Sequence, residues 1–189
     1  MYNAIASRRT SSLETPLNSF AHLLHESKSK EDIQKARQDL KVSLIALIPT
    51  KEEFVANFKE LKFSKNNIST NMLSKYIMNK FESIFSDSDL LESESSIEHI
   101  MDEVFENEQT LNIGNLLLLE QRINSNIPSG LNLSNKMDYY SESKYVTVDN
   151  FTKKYVDVSE WTEEHINLRS ISLGELLYAK LVEIINAIA

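Results

Sequence analysis

In the stretch SSIEHIMDE, residues 95–103, a carboxylate and an imidazole stand side by side at Glu98 and His99. An imidazole titrates near neutral pH and can move a proton there, so the pair is either a fragment of an active site or the polar face of a helix. The chain offers few other places for such chemistry. It has four histidines and no cysteine, which excludes disulfides, thiolate metal sites and a thiol nucleophile, and leaves any metal to oxygen and nitrogen ligands. His22 and His25 are spaced i, i+3 on a predicted helix, a geometry possible for a metal pair, with no third ligand in view. The stretch around Glu98 also reads as an ordinary amphipathic helix. Ile97, Ile100, Met101, Val104 and Phe105 recur at helical intervals, and Ser95 with Glu98 makes a capping box. Local pattern leaves both readings open.

The elements that must position these residues are mostly helical. Hydrophobic residues make up 41% of the 189, enough for a real core, while glycine and proline together number six, too few for an all-β design. Four helices are predicted before residue 86. LNSFAHLLHE spaces Leu17, Phe20, Leu23 and Leu24 on one face, and KEDIQKARQDLKVSLIALI does so with Ile33, Leu40, Leu44 and Leu47 before Pro49 stops it. TKEEFVANFKEL opens with Thr50 and Glu53 as a capping box, and NMLSKYIMNKFESIF carries Met72, Tyr76, Ile77, Phe81 and Phe85. The Ser- and acid-rich SDSDLLESES then reads as a linker or loop. Beyond it, LNIGNLLLLEQ joins a Gly-Asn turn signal to a short apolar run, the best strand candidate, and KYVTVDNF is a second place where β-branched residues cluster. A long helix follows to the C-terminus, with Ser159 as its plausible cap and Gly174 as a point where it could kink or split. The expectation is an α+β, mostly helical chain with a helical lobe over 1–90 and a second lobe over 91–189, closely packed.

The order of these signals resembles a known family. Glu98-His99, then Gly114-Asn115 heading an apolar run, then Asn124 in QRINSNIPSG, resembles the ββα-metal fold of the His-Asn-His (HNH) endonucleases. More closely, IEHI, IGNLLLLEQRINSNI, NKMDYYSES and EWTEEHINLR resemble the C-terminal nuclease domain of the GmrSD-type modification-dependent restriction enzymes. Asp102 stands where that family usually has a proline. The resemblance implies a hairpin-helix nuclease unit in the second lobe, with His99 as general base, Asn115 bracing the loop that orients it, and Glu98 and Asn124 as oxygen ligands of Mg²⁺ or Mn²⁺. Arg122, Lys136, Tyr140 and Lys144 would contact nucleic acid. Glu98 and His99, being neighbours, can serve one site only if the strand bends or ends there. The activity implied is metal-dependent cleavage of DNA phosphodiester bonds in a prokaryotic restriction or anti-phage system. An inactive binding or regulatory relative and a plain helical interaction protein are the alternatives.

Charge shapes the expected partners. Lys and Arg total 20 against 28 Asp and Glu, a formal charge of −8, and residues 86–120 hold ten Asp or Glu and no Lys or Arg. Phosphate contacts supply much of any DNA affinity, so an acidic chain is expected to bind DNA poorly alone; the family resemblance implies that another domain or partner chain supplies nucleotide binding, target choice and much of the DNA affinity. No run is apolar enough to span a bilayer and the start lacks a signal-peptide core, so no membrane and a cytoplasmic location are expected.

Overall fold

The computed structural model describes residues 5, 10–66, 68–86, 94–105 and 108–188. Among these, eight α-helices and one two-stranded antiparallel sheet are present, so the mostly helical α+β expectation holds. The order is α1 (Glu14–Glu26), α2 (Lys30–Ile45), α3 (Lys51–Lys59), α4 (Asn71–Ser86), β1 (Ser95–His99), β2 (Leu116–Glu120), α5 (Gln121–Asn126), α6 (Leu133–Tyr140), α7 (Val146–Lys154) and α8 (Glu163–Asn186). Short 3₁₀ turns bridge β1 to β2. Residues 87–93 of the predicted linker lie outside the described residues. None of the described helices is long and apolar enough to cross a membrane.

The chain divides into two compact units, Met1–Phe58 with Gly174–Ala189, and Lys59–Leu173. In the first, Ser29 closes a capping box with Asp32 at the head of α2, and Thr50 Oγ1 accepts the amide of Glu53 as its sequence predicts. Phe54, Phe58, Leu177 and Leu181 are buried there. Gly174 does not interrupt α8, and the Phe58 ring lies against its bare Cα. The apolar stripe predicted for α1 is not a core face: α1 buries no residue, and Leu17, Leu23 and Leu24 stay exposed. Met72 and Tyr76 on α4 are likewise exposed. Helical spacing defines a stripe but does not say what covers it.

The second unit is built around the hairpin. β1 and β2 pair antiparallel with Glu98 opposite Leu117 and His99 opposite Leu116, and Leu116 to Leu119 are fully buried. That buried run gives β1 its partner and overrides the helical reading of residues 95–103. α4 and α7 pack on β2, while α5 packs on both strands. KYVTVDNF, the second place where β-branched residues cluster, leads into α7 rather than a strand. The buried Glu82 carboxylate of α4 accepts the amides of Val146 and Thr147 and the Thr147 hydroxyl, so a neighbouring helix caps α7 and outweighs its β-branched composition. The tightest approach is at Gly114, just before β2. A Cβ there would run into the Ile166 carbonyl oxygen and meet Ser170 Cβ at 3.0 Å. Gly114→Ala is therefore expected to destabilise the protein by about 3 kcal/mol or more, read from the midpoint of urea unfolding.

Candidate active site

Side chains alternate across a strand, and β1 uses this to send Glu98 and His99 to different surroundings. Glu98 Oε1 accepts from Lys136 Nζ at 2.6 Å and from Tyr140 Oη at 3.2 Å. Lys136 and Tyr140 are four residues apart on α6, hence on one helix face, and both reach the same carboxylate. The Lys136 ammonium also donates to the His99 backbone carbonyl at 2.6 Å, so it ties the strand end to the helix. Burial first, and then the Glu98 carboxylate, hold the Tyr140 hydroxyl well above its ordinary pKa. Ser96 shares the Glu98 face of β1. Asn124, on α5, donates through Nδ2 to Ser96 Oγ and to the Ile97 carbonyl.

His99 closes the strand and turns the other way. Its Nε2 lies 3.0 Å from the Phe63 carbonyl and 3.6 Å from Glu103 Oε1. A carbonyl can only accept, so Nε2 carries the hydrogen and the lone pair of the neutral ring sits on Nδ1. Nδ1 has no hydrogen-bond partner among the described residues. Phe63 is held in place by its neighbours: its amide donates to the Leu111 carbonyl, and the amide of Ile113 donates to Leu61, around a bridge between Lys62 and Asn112. Burial lowers the His99 pKa below its ordinary value, against the opposing pull of the Phe63 carbonyl and Glu103. The imidazole is only 4% exposed.

Asn115 joins the loop after β1 to the entry of β2. Its Oδ1 accepts from the Met101 amide at 2.8 Å and from Trp161 Nε1 at 3.1 Å, while Nδ2 donates to the carbonyls of Met101 and Thr110. Arg169 on α8, also buried, donates from one guanidinium nitrogen to the carbonyls of Gly114 and Leu116 and lies 5.2 Å over the Phe151 ring. Burial lowers its pKa to about 10, so it stays charged at neutral pH. Asp102, in the loop after His99, accepts from the Gly130 and Val104 amides and from Ser129 Oγ. Burial pushes that carboxyl up, but these amides and the nearby Lys136 hold it below the ordinary value on balance.

The predicted residues thus fall into separate groups. Glu98 and Asn124 share one face of β1, His99 has the other, and Asn115 lies at the turn, bracing the loop directly after His99. Lys136 and Tyr140 differ from expectation: at 1% exposure each, they turn inward to Glu98 rather than outward to nucleic acid. Arg122 and Lys144 are exposed, Arg122 lying 3.5 Å from Glu142. Phe63 and Glu103 were not among the residues predicted from sequence. The Phe63 contact is made by backbone and is 36 residues distant, which leaves no residue-type signal. Glu103 is four residues from His99 but was absorbed into the helical reading of that stretch.

A family model described as GmrSD restriction endonucleases, C-terminal domain, matches residues 48–176. The match covers more than half of the chain, and the protein belongs to that family. No curated protein matches it.

A divalent ion at Glu98 and Asn124 does not fit this donor set. Mg²⁺ sites rest on one or two carboxylates, and here the Glu98 charge is met by an ammonium that is itself buried, while the Asp102 oxygens are taken by amides. Among the described residues, no three of His, Asp or Glu come together as a metal-holding group.

The buried neutral imidazole has a pH consequence. A histidine whose folded pKa lies below its unfolded value of about 6.5 takes up its proton first in the unfolded chain. Stability contributed through His99 is therefore intact above that value and falls as pH drops below it. Urea unfolding from pH 7 to 5 is expected to show the wild type losing stability relative to His99→Gln; a difference independent of pH contradicts the buried neutral ring.

Proposed function

We propose that the chain is an HNH-type nuclease unit that cleaves DNA phosphodiester bonds in a prokaryotic restriction or anti-phage system. The observation that carries the reading is the His99 ring, whose Nε2 is committed to the Phe63 carbonyl. Nδ1 is then free to take a proton from water. That water oxygen attacks phosphorus, the bond to the 3′ oxygen breaks, and the departing 3′ oxygen takes up a proton from solvent. Asn115, by bonding both polar backbone groups of Met101, holds the segment that follows His99. Exposed Arg122 and Lys144 are suited to hold backbone phosphates.

The Mg²⁺ or Mn²⁺ implied by the family resemblance would supply charge stabilisation at the phosphoryl oxygens through Glu98 and Asn124. With Lys136 on Glu98 the donors do not suit it, and the proton transfer above is assigned to His99 alone. The chain's acidic balance supports target choice and much of the DNA affinity coming from another domain or partner chain.

A second reading, a silent binding module that kept the fold, is favoured by the same Lys136 contact and by the burial of His99. A supercoiled-plasmid nicking assay in Mg²⁺ and in Mn²⁺, with partner protein supplied, separates the two. Nicking by the wild type that falls at least about a hundredfold in His99→Ala supports the nuclease. Equal rates for both proteins, or none, support the silent module.

A further inference from the structure

We propose that Lys136 is the resident cation of this site and keeps divalent ions away from Glu98. Three observations converge on the ammonium. It lies 2.6 Å from the only carboxylate on its face of β1, it is satisfied a second time by the His99 carbonyl, and it is 1% exposed. An exposed lysine readily gives up its partner carboxylate to solvent ions, whereas parting a buried pair leaves an uncompensated charge in the core. Its surroundings hold it there. Tyr140, one helical turn along α6, bonds the same Glu98 oxygen, and Asp102 adds a second negative charge near Lys136.

The remaining ligands cannot compensate for the ammonium. Asp102 is bonded to the Gly130 and Val104 amides, and Glu103 is engaged with His99 and the Lys65 amide. A divalent ion brought to Glu98 would find one neutralised carboxylate, the amide of Asn124, and a positive charge already within bonding distance of its main ligand. Coulomb repulsion at such separations in a desolvated site outweighs what one shared carboxylate offers. Glu98 Oε2 and Asn124 Oδ1 have no hydrogen-bond partner among the described residues, so what the site lacks for an ion is negative charge rather than oxygen atoms.

This inference rests on Glu98 as the carboxylate of the proposed site but not on cleavage, and its test uses no DNA. Mn²⁺ alone is titrated into the full 189-residue chain, with bound ion read by electron paramagnetic resonance and thermal unfolding followed in parallel. The wild type is expected to show no Mn²⁺ binding that Glu98→Gln abolishes. Lys136→Gln, which keeps a hydrogen-bond donor toward Glu98 while removing the charge, is expected to gain Glu98-dependent Mn²⁺ binding at least about tenfold tighter and to be stabilised by the ion. Should Lys136→Gln fail to fold, Lys136→Met screened for refolding with and without Mn²⁺ reads the same effect as ion-dependent recovery of structure. Glu98-dependent binding in the wild type overturns the proposal. So does a folded Lys136 variant that gains nothing.

Discussion

The contact between Lys136 and Glu98 is the interaction on which the arrangement of the second unit depends. Removing one member of a buried ion pair leaves the other uncompensated, at a cost of about 3–5 kcal/mol, whereas replacing both together can be nearly neutral. Because the ammonium also bonds the His99 carbonyl, the pair fixes how the end of β1 meets α6. Tyr140 follows from it, since the same helix face that delivers Lys136 delivers the phenol one turn later.

The alternation of β1 then divides the chemistry. With Glu98 committed to α6, His99 faces the segment around Phe63, and its tautomer is set by a backbone carbonyl rather than by a carboxylate. Asn115 and Arg169 complete the frame, one bonding the loop that leaves β1 and the other the carbonyls at the entry to β2. Gly114 lets α8 come close enough for Arg169 to reach them. An imidazole oriented in this way on one face of β1, and a carboxylate matched by an internal cation on the other, show how a single strand of this restriction-endonuclease family member keeps the two groups in separate surroundings.

Much of the frame was legible in the sequence, and the physical reasons are specific. Gly114-Asn115 ahead of four leucines marked β2 because a short, wholly apolar run bounded by a turn signal suits a strand buried on both faces. Thr50 and Glu53 marked the start of α3 because capping is local. Signals failed where the deciding contact is distant. α7 was not legible from its valines because Glu82, more than sixty residues away, supplies its cap. The inward turn of Lys136 and Tyr140 was not legible, since a lysine near a proposed DNA site looks the same in sequence whether it faces phosphate or carboxylate. Arg169 bonds main-chain carbonyls, which carry no residue identity at all.

The most direct measurement is a double-mutant cycle in urea unfolding with Glu98→Gln, Lys136→Met and the pair combined. The account predicts that each single change costs about 3 kcal/mol and that the double variant recovers at least about 2 kcal/mol of their sum. Additivity within about 0.5 kcal/mol would mean that the two side chains do not act on each other, and the site described here would lose its organising contact.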